Sequence, residues 1–144
     1  MVGKSKRRKQ KRDERGQSLL ETALVVPFLL LLLAIVVDAA RAFDAMIVLT
    51  NAAREGARYA SLEPAPKLSD FEAFVVADVL GSGTNITRLQ HFTANDIQLE
   101  PGTGIVKVTL QYDFPLWFGG LLGMDTLHLE KSATMPTGEI EDKG

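Results

Sequence analysis

Apolar residues fill one long stretch near the N-terminus of the chain. The 19 residues from Leu19 to Val37 contain a single charge, at Glu21. A helix needs roughly 20 apolar residues to cross the hydrocarbon core of a bilayer. Helices of soluble proteins normally keep a polar stripe, whereas residues 23–37 are apolar on every side. The pattern therefore predicts a transmembrane span at about residues 19–37.

Strong helix-forming residues continue beyond this span, although charges return at Asp38, Arg41 and Asp44. Asp38 and Arg41 are three positions apart, so they would share one helix surface. After the span, the next proline is Pro64. We therefore expect one long helix over residues 17–61, whose second half carries a head domain.

The remaining residues show the patterns of a small α+β head. The stretch SDFEAFVVADVLG predicts a short amphipathic helix that Ser69 caps and Gly81 ends. Two runs of alternating apolar and polar residues surround a turn signal at residues 101–104. Residues 127–135 predict a further strand. The expected sheet is antiparallel and has three to four strands.

An apolar segment, PLWFGGLLGM at residues 115–124, connects the last two predicted strands. Exposed on the surface, Trp117, Phe118, Leu121 and Leu122 would form a patch for contact with a partner or a membrane. Folded beneath the sheet, the same side chains would enlarge a small core. The sequence alone leaves both interpretations open.

Charge is distributed unevenly between the N-terminal end and the rest of the chain. Residues 1–15 carry a net charge of +6, and residues 17–144 carry −8. By the positive-inside rule the basic end stays in the cytoplasm and the remainder crosses the membrane. Basic runs also bind nucleic acid, but no aromatic residue is interleaved with this one. We therefore expect no nucleic-acid partner.

Together these patterns predict four consecutive parts. The expected fold class is α+β: a long N-terminal transmembrane helix that continues into a small head with one short helix and an antiparallel sheet. The lipid bilayer is one expected partner, and the protein would be a single-pass protein of the cytoplasmic membrane. The four parts are a basic cytoplasmic leader (1–16), the long helix (17–61), an extracytoplasmic head (62–136) and a polar tail (137–144).

The boundary between the basic leader and the apolar stretch admits three interpretations. A cleavable secretory signal would use Ala40 and Ala42 as the small residues before the cut. An uncleaved signal anchor is the second interpretation. The third is the prepilin pattern, in which a peptidase cuts after a glycine and the apolar segment stays in the mature protein. Gly16, followed by Gln17 and by Glu21 five positions after the glycine, fits this third pattern.

Glu21 needs a physical explanation, because an unpaired carboxylate near the hydrocarbon edge costs roughly 2 to 3 kcal/mol. Cleavage after Gly16 would leave a positively charged amino group on Gln17, about one helical turn from Glu21. That amine, on the same chain or on a neighbouring subunit, would neutralise the acid. Alternatively, Glu21 lies at the headgroup level and meets water.

Three segments together resemble the TadE-like family: RGQSLLETALVVPFLLLLL, DAARAF and LTNAAREGARYAS. The resemblance is strongest over residues 15–61. It implies a pilin-like fold and a minor pilin, pseudopilin or assembly factor of a tight-adherence (Tad, or Flp) pilus or a related secretion system. It also implies trimming by a prepilin peptidase, and partners among other pilin subunits and the Tad membrane machinery. Family members often carry phenylalanine where this chain has Thr22.

Residues that could carry catalysis are sparse. The chain has two histidines, His91 and His128, and no cysteine. Neither histidine lies in the ligand spacing of a zinc site, and no phosphate-binding glycine loop precedes a helix. We expect no enzymatic activity, no metal and no cofactor. The alternatives are an uncleaved anchor that carries an extracytoplasmic interaction domain and, from another class, an anchored hydrolase.

Overall fold

The computed structural model describes residues 5–62, 67–82 and 89–137, with side chains from residue 16 onward except those of residues 62 and 122. It confirms the predicted α+β class, with three strands in the described residues. The first four residues of the predicted leader and the predicted tail beyond residue 137 lie outside them. In chain order the elements are α1 (Ser5–Leu62), α2 (Leu68–Ser82), a 3-10 helix (Ala94–Asp96), β1 (Ile97–Gly102), β2 (Ile105–Pro115), a 3-10 helix (Gly119–Leu122) and β3 (Thr126–Pro136).

Contacts divide the chain into two units, Met1–Val37 and Asp38–Gly144. The apolar stretch of α1 belongs to the first unit. Among the described residues, one helical segment, Gly16–Ser61, is long and apolar enough to cross a membrane, and only 6 % of its most apolar stretch is buried. The core helix of a soluble protein would be mostly buried. The segment therefore has the length, composition and exposure of a single-pass membrane anchor.

In the second unit, the C-terminal part of α1 packs through small residues. Ala53, Gly56 and Ala57 are buried on this face. A β-carbon added at Gly56 would come within 3.0 Å of Val75 Cγ2 on α2 and within 3.6 Å of Val108 Cγ1 on β2. The absence of a side chain at Gly56 thus lets α1 approach both α2 and the sheet.

The short helix α2 covers this core with one apolar face. Phe71, Val75 and Val79 are buried, and each such side chain contributes about 1.5 to 3 kcal/mol when it leaves water. The predicted cap is wrong: α2 begins at Leu68, so Ser69 lies inside the first turn. The N–H groups of Asp70 and Phe71 there donate to the carbonyl of Lys67.

The three strands form one antiparallel sheet in the order β1-β2-β3. β2 is central and pairs with β3 along its whole length, from Ile105 opposite Pro136 to Pro115 opposite Thr126. The alternation predicted for β2 is confirmed, because one set of alternate side chains is buried in the core. These are Val106, Val108, Leu110, Tyr112 and Phe114.

Candidate functional site

Two buried charges lie at the start of the second unit. Asp38 and Arg41 are only 6 % and 7 % exposed. Arg41 Nη1 lies 2.9 Å from Asp38 Oδ1, as expected for two residues one turn apart on a helix. A buried charge is costly unless it is paired and hydrogen-bonded. The other contacts of Asp38 and Arg41 therefore decide whether this buried pair is stable.

The Asp38 carboxylate accepts hydrogen bonds from a distant segment of backbone. The N–H of Trp117 donates to Oδ1 at 3.0 Å, and the N–H of Phe118 donates to Oδ2 at 2.7 Å. Both oxygens are therefore satisfied, although 79 residues separate Asp38 from Trp117 in sequence. We refer to residues 116–124, between β2 and β3, as the apolar loop. Asp38 holds this loop against α1.

The same contacts set the ionisation of Asp38. Burial raises the pKa of the Asp38 carboxyl, but the backbone N–H groups of Phe118 and Trp117 and the guanidinium of Arg41 lower it by more. The pKa of Asp38 consequently lies below its ordinary value. The carboxylate is charged at neutral pH and forms a neutral unit with Arg41.

The guanidinium of Arg41 contacts two aromatic rings. Its central carbon lies 3.8 Å from the centre of the Trp117 ring and 4.9 Å from that of Phe114. Cations over aromatic faces contribute about 0.5 to 2 kcal/mol, and more as water is excluded. Arg41 thus connects the indole of the apolar loop to the end of β2.

Glycines allow the apolar loop to fold tightly. A β-carbon on Gly119 would collide with the carbonyl of Met124 and with the side chain of Leu116. Gly123 has a φ of 73°, which lies in the left-handed region that favours glycine. A backbone hydrogen bond of 3.0 Å from Leu116 to Asp125 closes the base of the loop.

Most of the large side chains of the apolar loop are exposed. The exposed fractions are 59 % for Trp117, 40 % for Phe118, 67 % for Leu121 and 50 % for Met124. These four side chains therefore lie on the surface and not beneath the sheet. Leu116, by contrast, packs against the core. The side chain of Leu122 lies outside the described residues.

The three predicted processing residues belong to the first unit and lie on α1. Gly16, Gln17 and Glu21 are exposed. A β-carbon at Gly16 would meet no atom within 4 Å. The hydroxyl of Thr22 donates to the carbonyl of Ser18 at 2.9 Å, so the polar group of this side chain has a partner within the helix.

Other polar clusters in the described residues are simple pairs. His128 Nδ1 lies 2.8 Å from Asp113 Oδ1, and both side chains are mostly exposed. No group of three or more His, Cys, Asp or Glu side chains in the described residues is placed to hold a metal ion. The main built constellation of this unit is therefore Asp38, Arg41 and the apolar loop.

A comparison with family models matches residues 16–58 to the family described as TadE-like protein. This segment is similar to that family. The match confirms the resemblance over this segment. The TadE-like segment begins at Gly16 and contains the Asp38–Arg41 pair, whereas the apolar loop lies beyond it. A search of curated proteins and a search of solved structures gave no match.

Sequence reasoning placed Asp38 and Arg41 on one helix surface but did not identify them as a site. The available signal was a close acid–base pair directly after an apolar run. No pattern in the sequence connects that pair to Trp117, because hydrogen bonds to backbone N–H groups do not depend on the identity of the donor residue.

Proposed function

We propose that the protein is a minor pilin-like or pseudopilin-like subunit of a Tad (Flp-type) pilus or a related secretion system. A prepilin peptidase trims the chain after Gly16, and the apolar helix stays in the mature protein. The observation that carries the proposal is the TadE-like match, which starts at the glycine that closes the basic leader.

Gly16 supports this role because the fold does not require a glycine there. Its φ is not positive, and open space surrounds the position of a β-carbon. Glycine inside a helix costs about 1 kcal/mol relative to alanine. A residue that is unfavourable for the helix, at the boundary of the leader, fits recognition by a peptidase.

Glu21 would pair with the amine that cleavage creates on Gln17. The two residues are four positions apart on α1, and such residues are neighbours on a helix surface. The partner amine is on the same chain or on an adjacent subunit of an assembly. Pairing would remove the cost of a carboxylate at the membrane edge and so favour association.

The positive leader places the N-terminus in the cytoplasm and the head outside the cytoplasmic membrane. The partners are the lipid bilayer, other pilin or pseudopilin subunits, the Tad membrane machinery and the prepilin peptidase. Nucleic acid, a metal, a cofactor and an enzymatic reaction have no part in this proposal.

Two variants of the full chain, expressed in a host with its Tad machinery, test the proposal. The wild-type protein extracted from membranes should have the intact mass of a chain that begins at Gln17. Gly16→Leu should keep the mass of the leader. Glu21→Gln should be trimmed normally but should recover fewer partner subunits on co-purification, because the new amine has lost its counter-charge.

Glu55→Gln serves as the control, since Glu55 forms only an exposed pair with Arg58 and should leave trimming and partner recovery unchanged. A wild-type mature chain that begins near Phe43 would identify an ordinary secretory signal. Normal partner recovery with Glu21→Gln would contradict the pairing role while leaving trimming intact.

The second candidate is an uncleaved single-pass anchor with an extracytoplasmic interaction domain. The continuity of α1 from Ser5 through Gly16 favours it, because proteases prefer exposed, non-helical backbone. A wild-type protein that retains its leader in cells with an active prepilin peptidase would support this candidate.

A further inference from the structure

We propose that the apolar loop is a second membrane contact, in which Trp117, Phe118 and Leu121 enter the interfacial layer of the lipid. The inference goes beyond a role in pili. It requires the span but does not depend on cleavage after Gly16, which precedes the span.

The position of the loop carries the inference. Its backbone donates two hydrogen bonds to Asp38, and Asp38 is the residue directly after Val37, the last residue of the apolar stretch. The polar layer of a bilayer is about 5 to 8 Å thick on each side of the hydrocarbon core. Backbone bonded to the first residue beyond the span falls within that layer.

The chemistry of the loop suits lipid. Residues 116–124 contain no charged side chain. Four large apolar side chains are at least 40 % exposed, and they include the single tryptophan of the chain. Tryptophan is enriched at membrane interfaces because its ring is apolar and its N–H stays hydrated. A clustered apolar surface of this kind is unusual for a protein face that meets only water.

Charge compensation permits this placement. Asp38 and Arg41 are buried with their charges paired at 2.9 Å, and both carboxylate oxygens accept hydrogen bonds. The pair therefore brings no net charge to the edge of the hydrocarbon region, where an isolated charge is unfavourable.

The loop is also held in place before it meets lipid. Asp38 fixes two of its N–H groups, the guanidinium of Arg41 lies 3.8 Å from the Trp117 ring, and close packing at Gly119 shapes the turn. A surface that is already ordered loses little conformational entropy on binding. Insertion of three side chains can then orient the head on the membrane.

Trp117 provides the test, because it is the only tryptophan in the chain. The full-length protein is reconstituted at a low protein-to-lipid ratio in phosphatidylcholine vesicles. The lipids carry bromine at either a shallow or a deep position of the acyl chain. We expect shallow bromine to quench Trp117 fluorescence more strongly than deep bromine, and aqueous acrylamide to quench it weakly.

A matched pair of leucine variants keeps the test specific. Leu121→Asn should reduce bromine quenching and increase acrylamide quenching. Leu121 is 67 % exposed, and asparagine cannot make the apolar contact with lipid that we assign to this leucine. Leu68→Asn alters an exposed leucine at the start of α2 and should change neither signal. Leu68 is far from the apolar loop along α1. It lies one turn before Phe71, and Phe71 packs near Gly56. Gly56 is about 27 Å along α1 from Asp38, which holds the loop.

Three results would overturn the inference. Strong acrylamide quenching without bromine quenching would place the loop in water. Bromine quenching that is equal in wild type and Leu121→Asn would show that the loop side chains do not hold the contact. Protection of Trp117 from acrylamide that appears only at high protein-to-lipid ratios would assign the surface to a second copy of the chain.

Discussion

At the scale of single residues, Asp38 carries several roles at once. Its carboxylate is the counter-charge of Arg41 and the acceptor for the N–H groups of Trp117 and Phe118. Removing one member of a buried ion pair is far more costly than removing an exposed pair, because the other charge stays buried without compensation. The stability of the second unit should therefore depend strongly on this residue.

Asp38→Asn is expected to destabilise the folded second unit by about 3 kcal/mol. The amide nitrogen of asparagine would face N–H donors, and Arg41 would lose the buried counter-charge that Asp38 supplies. A domain of about 100 residues loses roughly 4 to 8 °C in Tm for each kcal/mol. Thermal unfolding of the full chain in detergent micelles, followed by near-ultraviolet circular dichroism, measures the change.

The control for Asp38→Asn is Glu55→Gln, which breaks a pair whose side chains are 49 % and 64 % exposed. That change should cost less than about 0.5 kcal/mol. Equal losses of Tm in the two variants would mean that Asp38 contributes no more than a surface charge.

The pH dependence of stability should show the contribution of Asp38. Because the folded pKa of Asp38 is lowered, the stabilisation is complete above the unfolded pKa of about 3.9 and is lost as the pH falls through the folded pKa. The difference in Tm between wild type and Asp38→Asn should therefore be constant at neutral pH and shrink as the pH falls below about 4. A difference that grows in acid would reverse the assigned direction of the pKa shift.

At the scale of elements, the contact of α1 with α2 depends on the small size of Gly56. A β-carbon there would lie 3.0 Å from Val75 Cγ2 and 3.6 Å from Val108 Cγ1, so any side chain at this position would have to displace its neighbours. Close packing of this kind makes the helix pair sensitive to added atoms rather than to lost ones. The aromatic rings of Tyr59 and Phe74, stacked at 4.7 Å, make a second contact between the same helices.

Gly56→Leu should destabilise the second unit by about 1 to 3 kcal/mol through overpacking. Gly81→Ala is the control. It replaces a helical glycine on α2 at a site where a β-carbon would meet nothing within 4 Å. It should be neutral or stabilising by up to about 1 kcal/mol, because alanine favours the helix. Thermal unfolding of both variants in micelles provides the comparison, and a neutral Gly56→Leu would show that the helices can separate without cost.

At the scale of the whole molecule, the proposed topology has the leader in the cytoplasm and the head outside. The chain has no cysteine, so a cysteine introduced at the exposed residue Ser69 is a single reporter. We expect a membrane-impermeant thiol reagent to label Ser69→Cys in whole cells whose outer layers admit it. Protection in intact cells, with labelling only after lysis, would place the head in the cytoplasm.

Local patterns determined much of the fold from the sequence alone. The apolar run predicts a helix long enough to span a bilayer. The alternation of β2 predicts which of its side chains are buried, because the strand period places alternate residues on opposite faces. The TadE-like segment was also recognisable, since its motifs occur in order over a continuous stretch. Ser69 is an exception at this local level, because helix boundaries shift by a residue or two with the capping geometry.

Only the tertiary structure decided what the apolar loop does with its side chains and what holds it. The sequence allowed these residues to be either core or surface, because composition does not specify which face of a loop meets the sheet. Folding brings backbone N–H groups of the loop to the carboxylate of Asp38, 79 residues away in sequence. That contact depends on the path of the backbone rather than on the identity of the donor residues, so no local pattern records it.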